Sequence, residues 1–178
     1  MQARPPVVIV AAIPGQELQN MKNLEIFEAD LNNSGHAEAV RQLLDEYARL
    51  PIGQGAPLTA QVLERLVPGL RRHPGTLVFL AWLDRRAVGV AVCMTGFATF
   101  TAKPVINVHD LAVTADCRGR GIGRLLLEAV ESKARESGCG KVTLEVREDN
   151  APARKLYRRF GFRDGGGESA TFFLAKTL

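Results

Sequence analysis

The sequence predicts a single α/β (α+β) domain, and three observations carry that expectation. Runs of β-forming residues at 76–83, 86–97 and 105–113 follow one another closely, with Asp84-Arg85 as a two-residue connection between the first two. A helical stripe of apolar residues then fills 121–137. Finally, the 178 residues are 46% hydrophobic and 24% charged, with 17 Gly and 9 Pro, average globular usage in a chain long enough to bury its own core. The same figures exclude collagen-like, disordered and disulfide-scaffold classes.

Residues 1–22 read as an N-terminal extension. The apolar run Val7 to Ile13 is short, follows Pro5-Pro6 and lacks a convincing cleavage site, which fits an extra strand or a loose segment better than an export signal. The domain itself spans 23–178. Alternation over 24–30 predicts a strand. From Ser34 to Leu50 the positions Ala39, Val40, Leu43, Leu44, Tyr47 and Leu50 recur at helical spacing, and Pro51 stops that helix. A Gly/Pro loop follows to Leu58. A shorter helix is expected from Thr59 to Val67, ended by Pro68 and Gly69. After the three β-rich runs, Ile122, Leu125, Leu126, Ala129, Val130 and Ala134 draw one apolar stripe, with Gly138 as its stop. Lys141 to Arg147 alternates as a strand. Asn150 then caps a helix that has Pro152 in its first turn, a stripe of Ala153, Leu156, Tyr157 and Phe160, and Gly161 at its end. Phe162 and Thr171 to Thr177 read as closing strands.

The apolar run from Ala87 to Phe100 is broken by glycines and threonines and falls short of a membrane span. Cys93, Cys117 and Cys139 have no metal-ligand spacing and are odd in number, so neither a zinc site nor a disulfide framework is indicated, and a reducing, cytoplasmic setting fits best. Residues 1–100 are charge-balanced, and the whole net charge of +4 lies beyond them. A small, localised excess of this kind attracts an anionic small molecule; it is too small to favour nucleic acid.

Its focus is a turn. The run from Val105 to Val113 leads into Arg118-Gly119-Arg120-Gly121-Ile122-Gly123-Arg124, directly before the strongest helix. Cations are disfavoured at a helix N-terminus and Arg120 and Arg124 repel at i,i+4, so an anion is expected there. The glycines let a ligand approach the N–H groups that a helix start leaves unpaired. A dinucleotide fingerprint fails because Arg124 or Leu126 stands where its last glycine belongs, and a nucleotide-hydrolase phosphate loop fails because Gly140-Lys141 is followed by Val142.

The Arg118-x-x-Gly121-x-Gly123 turn, the strand Ile106 to Val113 before it, and Asn150 and Tyr157-Arg-Arg-Phe-Gly-Phe162 after it resemble the GNAT superfamily of N-acetyltransferases over about residues 24–178. The resemblance implies a mixed, mostly antiparallel, splayed sheet flanked by helices, with acetyl-CoA as co-substrate between the fourth and fifth strands and no metal. It implies that the backbone of Leu111, Ala112 and Val113 pairs with the pantetheine arm. Backbone N–H groups across Arg118, Gly119, Arg120, Gly121, Ile122, Gly123 and Arg124 would hold the pyrophosphate. Asn150 would reach the pantetheine or simply cap its helix, and Arg154, Lys155, Arg158 and Arg159 lie near the adenosine phosphates or form a solvated face. A small-molecule amine would be the partner substrate, with no nucleic acid or membrane partner and homodimerisation left open.

Acetyl transfer to an amine needs a base and a proton for the departing thiolate. At a lysine-like pKa of about 10.4, only roughly one amine in two thousand is neutral at pH 7. His109 is the first choice as base and Asp110 the second, ahead of Glu28, Asp30 or a water. Strand alternation groups His109 with Leu111 and Val113, and Asp110 with Val108, and a bulge would reverse which of them faces the substrate. By spacing alone Tyr157 is a core aromatic; by resemblance its hydroxyl protonates the thiolate. A non-catalytic acyl-CoA sensor, or an enzyme acting on a protein N-terminus or lysine, are the alternatives. Glu28, Asp30, Asp45 and Glu46 suggest a small cationic amine as acceptor.

Overall fold

The computed structural model describes residues 23–163 and Lys176. They fall into two compact units, one ending at Glu145 and one starting at Val146. In the first, β1 (Leu24–Glu28), β2 (Thr76–Leu83), β3 (Arg86–Ala98) and β4 (Lys103–Val113) pair antiparallel in that order, and β5 (Lys141–Leu144) is added parallel to β4. Helices α1 (Ser34–Ala48), α2 (Ala60–Arg72) and α3 (Ile122–Glu136) complete this unit; α4 (Ala151–Phe160) belongs to the second. The mixed, mostly antiparallel sheet is the one the resemblance implies.

The β2–β3 connection is as short as the sequence suggests. Asp84 and Arg85 both take positive φ, 48° and 66°, which matches a two-residue turn to the right-handed twist of its strands. On one face of the sheet Phe27, Val78, Leu80, Val90 and Val92 pack with Ala39, Val40, Leu43 and Leu44 of α1. The other face carries α3, whose Leu126 is wholly buried. Gly89 sets how near α3 comes: a Cβ there would lie 3.1 Å from Leu126 Cδ1 and 3.2 Å from the Ala112 carbonyl. Gly89→Ala is therefore expected to cost about 1–3 kcal/mol by overpacking, read as a lower midpoint in thermal unfolding.

Several boundaries differ from the sequence expectation. Helix α2 does not stop at Val67 but runs through Pro68 to Arg72. Pro68 removes one N–H, yet Leu66, Val67 and Leu70 continue the apolar stripe and pack on the core, and tertiary burial outweighs the lost hydrogen bond. Helix α1 ends at Ala48, where Arg49 caps it. β5 ends at Leu144, three residues short of Arg147. Phe162 starts no strand; its N–H bonds back to the Tyr157 carbonyl at 2.9 Å and closes α4. The extension 1–22 and, apart from Lys176, the strand expected at 171–177 lie outside the described residues.

Candidate active site

β4 is irregular where the sequence places its candidate bases. Val92 of β3 pairs with Asp110 and Cys93 with Val108, so His109 is an extra residue, a bulge in β4. The bulge separates Val108 from Asp110, which simple alternation would have put on one face. Asp110 follows Val92 and Ala112 onto the α1 side, while Val108 lies opposite Cys93 on the α3 side. His109 is exposed; Asp110 is half-buried, and its carboxylate has no hydrogen-bond partner among the described residues. Burial pushes the Asp110 carboxyl above its usual range, with the His109 charge opposing. A proton acceptor of raised basicity on the helix-covered face is what a general base requires.

Beyond Val108 the sheet opens. The last β4–β5 pair is Val108 with Leu144, and β4 runs on to Val113 without β5 beside it. Leu111, Ala112 and Val113 thus have a strand edge that β5 leaves unpaired. The Val113 carbonyl is taken by Arg118 Nε at 3.0 Å, which ties this arginine to the strand end. On the α1 face just before the opening, Asn107 Nδ2 donates to Thr143 Oγ1 at 3.0 Å and bridges β4 to β5.

The chain then makes one 3₁₀ turn, Ala115–Cys117, braced by a 2.5 Å ion pair from Arg86 to Asp116 that holds the Asp116 carboxyl down at about 2. Sequence reading missed this brace because 30 residues separate its partners. Gly119 and Gly121 follow with φ of 77° and 83°, and Gly121 caps α3. The N–H groups of Gly119, Arg120, Gly121, Ile122 and Gly123 bond to no acceptor among the described residues. Left-handed glycines and a run of free donors at a helix start form an anion cradle, and these residues fit a pyrophosphate. The expected repulsion between Arg120 and Arg124 is relieved from within, because Arg124 pairs with Glu128 at 2.8 Å.

In the second unit Asn150 Oδ1 accepts from Ala153 N–H at 3.3 Å, so the asparagine is at least the helix cap that its position predicts. The half-buried Tyr157 ring stands edge-on to Phe162 at 5.8 Å. Ala151, Arg154, Lys155, Arg158 and Arg159 line a shallow cationic groove along α4.

A family model, the acetyltransferase (GNAT) family, matches residues 37–162. The chain belongs to the GNAT family. A streptothricin acetyltransferase from Streptomyces lavendulae is 39% identical over 89 residues, 48% of this chain and 47% of that protein. The chain thus spans about half the length of that curated relative. Among solved structures, a probable acetyltransferase superposes with TM-score 0.74 at 22% identity, covering 85% of this chain and 97% of the other. An aminoglycoside acetyltransferase from an uncultured soil sample, in complex with sisomicin, superposes with TM-score 0.70 at 19% identity, covering 89% of this chain and 99% of the other. At these identities the superpositions show the GNAT fold.

Three of the four carboxylates expected to draw a cation to this GNAT chain are engaged in holding it together. Glu28 pairs with Lys133 of α3 at 2.7 Å. Asp45 pairs with Arg49 and accepts the Leu58 N–H, both at 2.7 Å, which folds the Gly/Pro loop back onto α1 and holds its carboxyl below the usual range. Asp30 accepts the Asn32 N–H in a turn. Glu46 is exposed with no partner among the described residues. No helix among the described residues is long and apolar enough to cross a membrane.

Proposed function

We propose that residues 23–178 form an N-acetyltransferase domain, with 1–22 as an extension, that moves an acetyl group from acetyl-CoA to a small primary amine by direct attack in a ternary complex. One observation carries the reading: five adjacent N–H groups without acceptors among the described residues, set by two left-handed glycines at the start of α3. They are the groups for the pyrophosphate of acetyl-CoA, with Arg118 and Arg120 beside them and the open β4 edge of Leu111, Ala112 and Val113 for the pantetheine. Acetyl-CoA supplies the activated acetyl group. The amine nitrogen forms the new C–N bond, the thioester C–S bond breaks, Asp110 takes a proton from the nitrogen, and the Tyr157 hydroxyl gives one to the sulfur.

Asp110 stands ahead of His109 in this role because its carboxylate is half-buried on the helix-covered face without a hydrogen-bond partner among the described residues, whereas His109 is exposed in the bulge. A cationic amine is the acceptor class that suits an ionised Asp110, and a sisomicin-bound fold neighbour supports the same class. Incubating the protein with acetyl-CoA and a panel of amines, with free thiol as the readout, tests the reading. Turnover of polyamine or aminoglycoside-like amines that falls with added salt is expected. Selective turnover of acidic or neutral amines would overturn the cationic preference, and thiol release with no amine would overturn amine acetylation itself.

Gly121→Val tests the cradle. A β-branched side chain at φ 83° strains the cap and places methyl groups in open space before the donors. Acetyl-CoA affinity is expected to fall at least tenfold, about 1.4 kcal/mol, by calorimetry on folded protein.

A further inference from the structure

A single cross-strand row runs over the α1 face immediately before the sheet opens: Thr76 pairs with Met94, Met94 with Asn107, and Asn107 with Thr143. Paired residues share a face, and the side chains bear this out. Met94 packs against the α1 core, Thr76 Oγ1 lies 3.6 Å from Met94 Sδ, and Asn107 Nδ2 donates to Thr143 Oγ1 at 3.0 Å. All four residues are only half-buried. The next position of β4 on this face, past the His109 bulge, is Asp110.

An asparagine is a poor strand former, and this one sits in the interior of an 11-residue strand. Its amide nitrogen is committed to Thr143, which fixes the side chain and leaves Oδ1 as an acceptor with no partner among the described residues. One face of β4 therefore offers two oxygen acceptors in succession, the Asn107 amide and the Asp110 carboxylate, with no donor of their own turned to them among the described residues. A neutral primary amine has two N–H groups and a lone pair. It can give one hydrogen to each oxygen while its lone pair points at the acyl carbon. An N-methyl amine has one N–H, and an alcohol one O–H, so either leaves an acceptor unmet.

We infer that Asn107, held by Thr143, is a specificity-determining residue that selects a primary amine by accepting the N–H that Asp110 does not remove. The inference rests on the proposed acetyl transfer to an amine, with Asp110 as base. The Thr143 hydroxyl acts on the amine only by positioning Asn107.

The test compares a primary amine accepted in the panel with its N-methyl derivative, in wild type, Asn107→Leu and Thr143→Val, alongside thermal midpoints and acetyl-CoA affinity by calorimetry. Asn107→Leu is expected to lose about fivefold or more in kcat/KM on the primary amine, the size of one hydrogen bond, and to change less than twofold on the N-methyl amine. Acetyl-CoA affinity stays within twofold. Thr143→Val, which keeps Asn107 but frees its rotamer, shifts the ratio in the same direction and serves if Asn107→Leu does not fold. Asn107→Asp restores an acceptor and sets a second carboxylate beside Asp110, so its acid limb of kcat/KM moves to higher pH while the preference for the primary amine returns. Equal losses on both amines, or none on either, would overturn the role of Asn107 and leave acetyl transfer standing. A wild type that acetylates no amine would overturn both.

Discussion

Tyr157→Phe is expected to lower kcat about 10²-fold or more while acetyl-CoA affinity stays within twofold, the signature of losing one positioned proton donor. The substitution removes only the hydroxyl. Tyr157 is half-buried on α4, its ring edge-on to Phe162, and its carbonyl accepts the N–H groups of Gly161 and Phe162 that end the helix. Phenylalanine keeps the ring contact and leaves those backbone bonds intact, so the helix end survives. The departing thiolate is a good leaving group in water but a better one when a proton meets it, and a Tyr hydroxyl of pKa about 10 is acidic enough to supply it. The measurement is a pair: steady-state rate with thiol readout, and thermal midpoint. A rate unchanged within twofold together with a stability loss of about 1 kcal/mol would make the hydroxyl a structural hydrogen-bonding group and nothing more.

What the sequence made legible was whatever depends on short-range pattern. The Asp84-Arg85 turn, the apolar stripe of α3, and the Asn150 cap with Pro152 behind it are each decided by residues within one or two turns of one another, and each stands where the sequence puts it. Where burial competes with a local rule, the local rule misled. Pro68 reads as a helix stop, and α2 continues through it because Leu66, Val67 and Leu70 have a core to enter. The candidate base turned on register. Alternation groups Asp110 with Val108, and only the pairing of β3 with β4 reveals His109 as the inserted residue that puts them on opposite faces. Long-range partners were beyond reach for the same reason: Arg86 with Asp116, Glu28 with Lys133 and Asn107 with Thr143 meet only once the sheet exists. The last of these had a faint signal, an asparagine among β-branched residues of a strand.

Asp110→Asn is expected to lower kcat/KM by 10² or more and, at neutral pH, to raise the thermal midpoint. The two effects have one origin. Burial disfavours the charged carboxylate, so its pKa in the folded protein lies above the unfolded value, and the nearby His109 charge only partly offsets this. A raised folded pKa contributes stability that is present below the unfolded pKa of about 3.9 and lost as pH rises through the folded pKa. Above its raised folded pKa the wild type thus carries an ionised, half-buried carboxylate at a cost to folding. Asparagine is neutral at every pH, nearly the same shape, and free of that cost. Its advantage should shrink as pH is lowered, until wild-type Asp110 is itself protonated. Activity follows the opposite course. A base must be ionised to accept the amine proton, so wild-type kcat/KM should fall as pH drops through the raised folded pKa, and the variant should lose that limb. Thermal midpoints and kcat/KM across pH, measured on both proteins, decide the matter together. If Asp110→Asn keeps its acid limb and full activity, the base is His109 or a water, and the buried charge of Asp110 has no part in the chemistry.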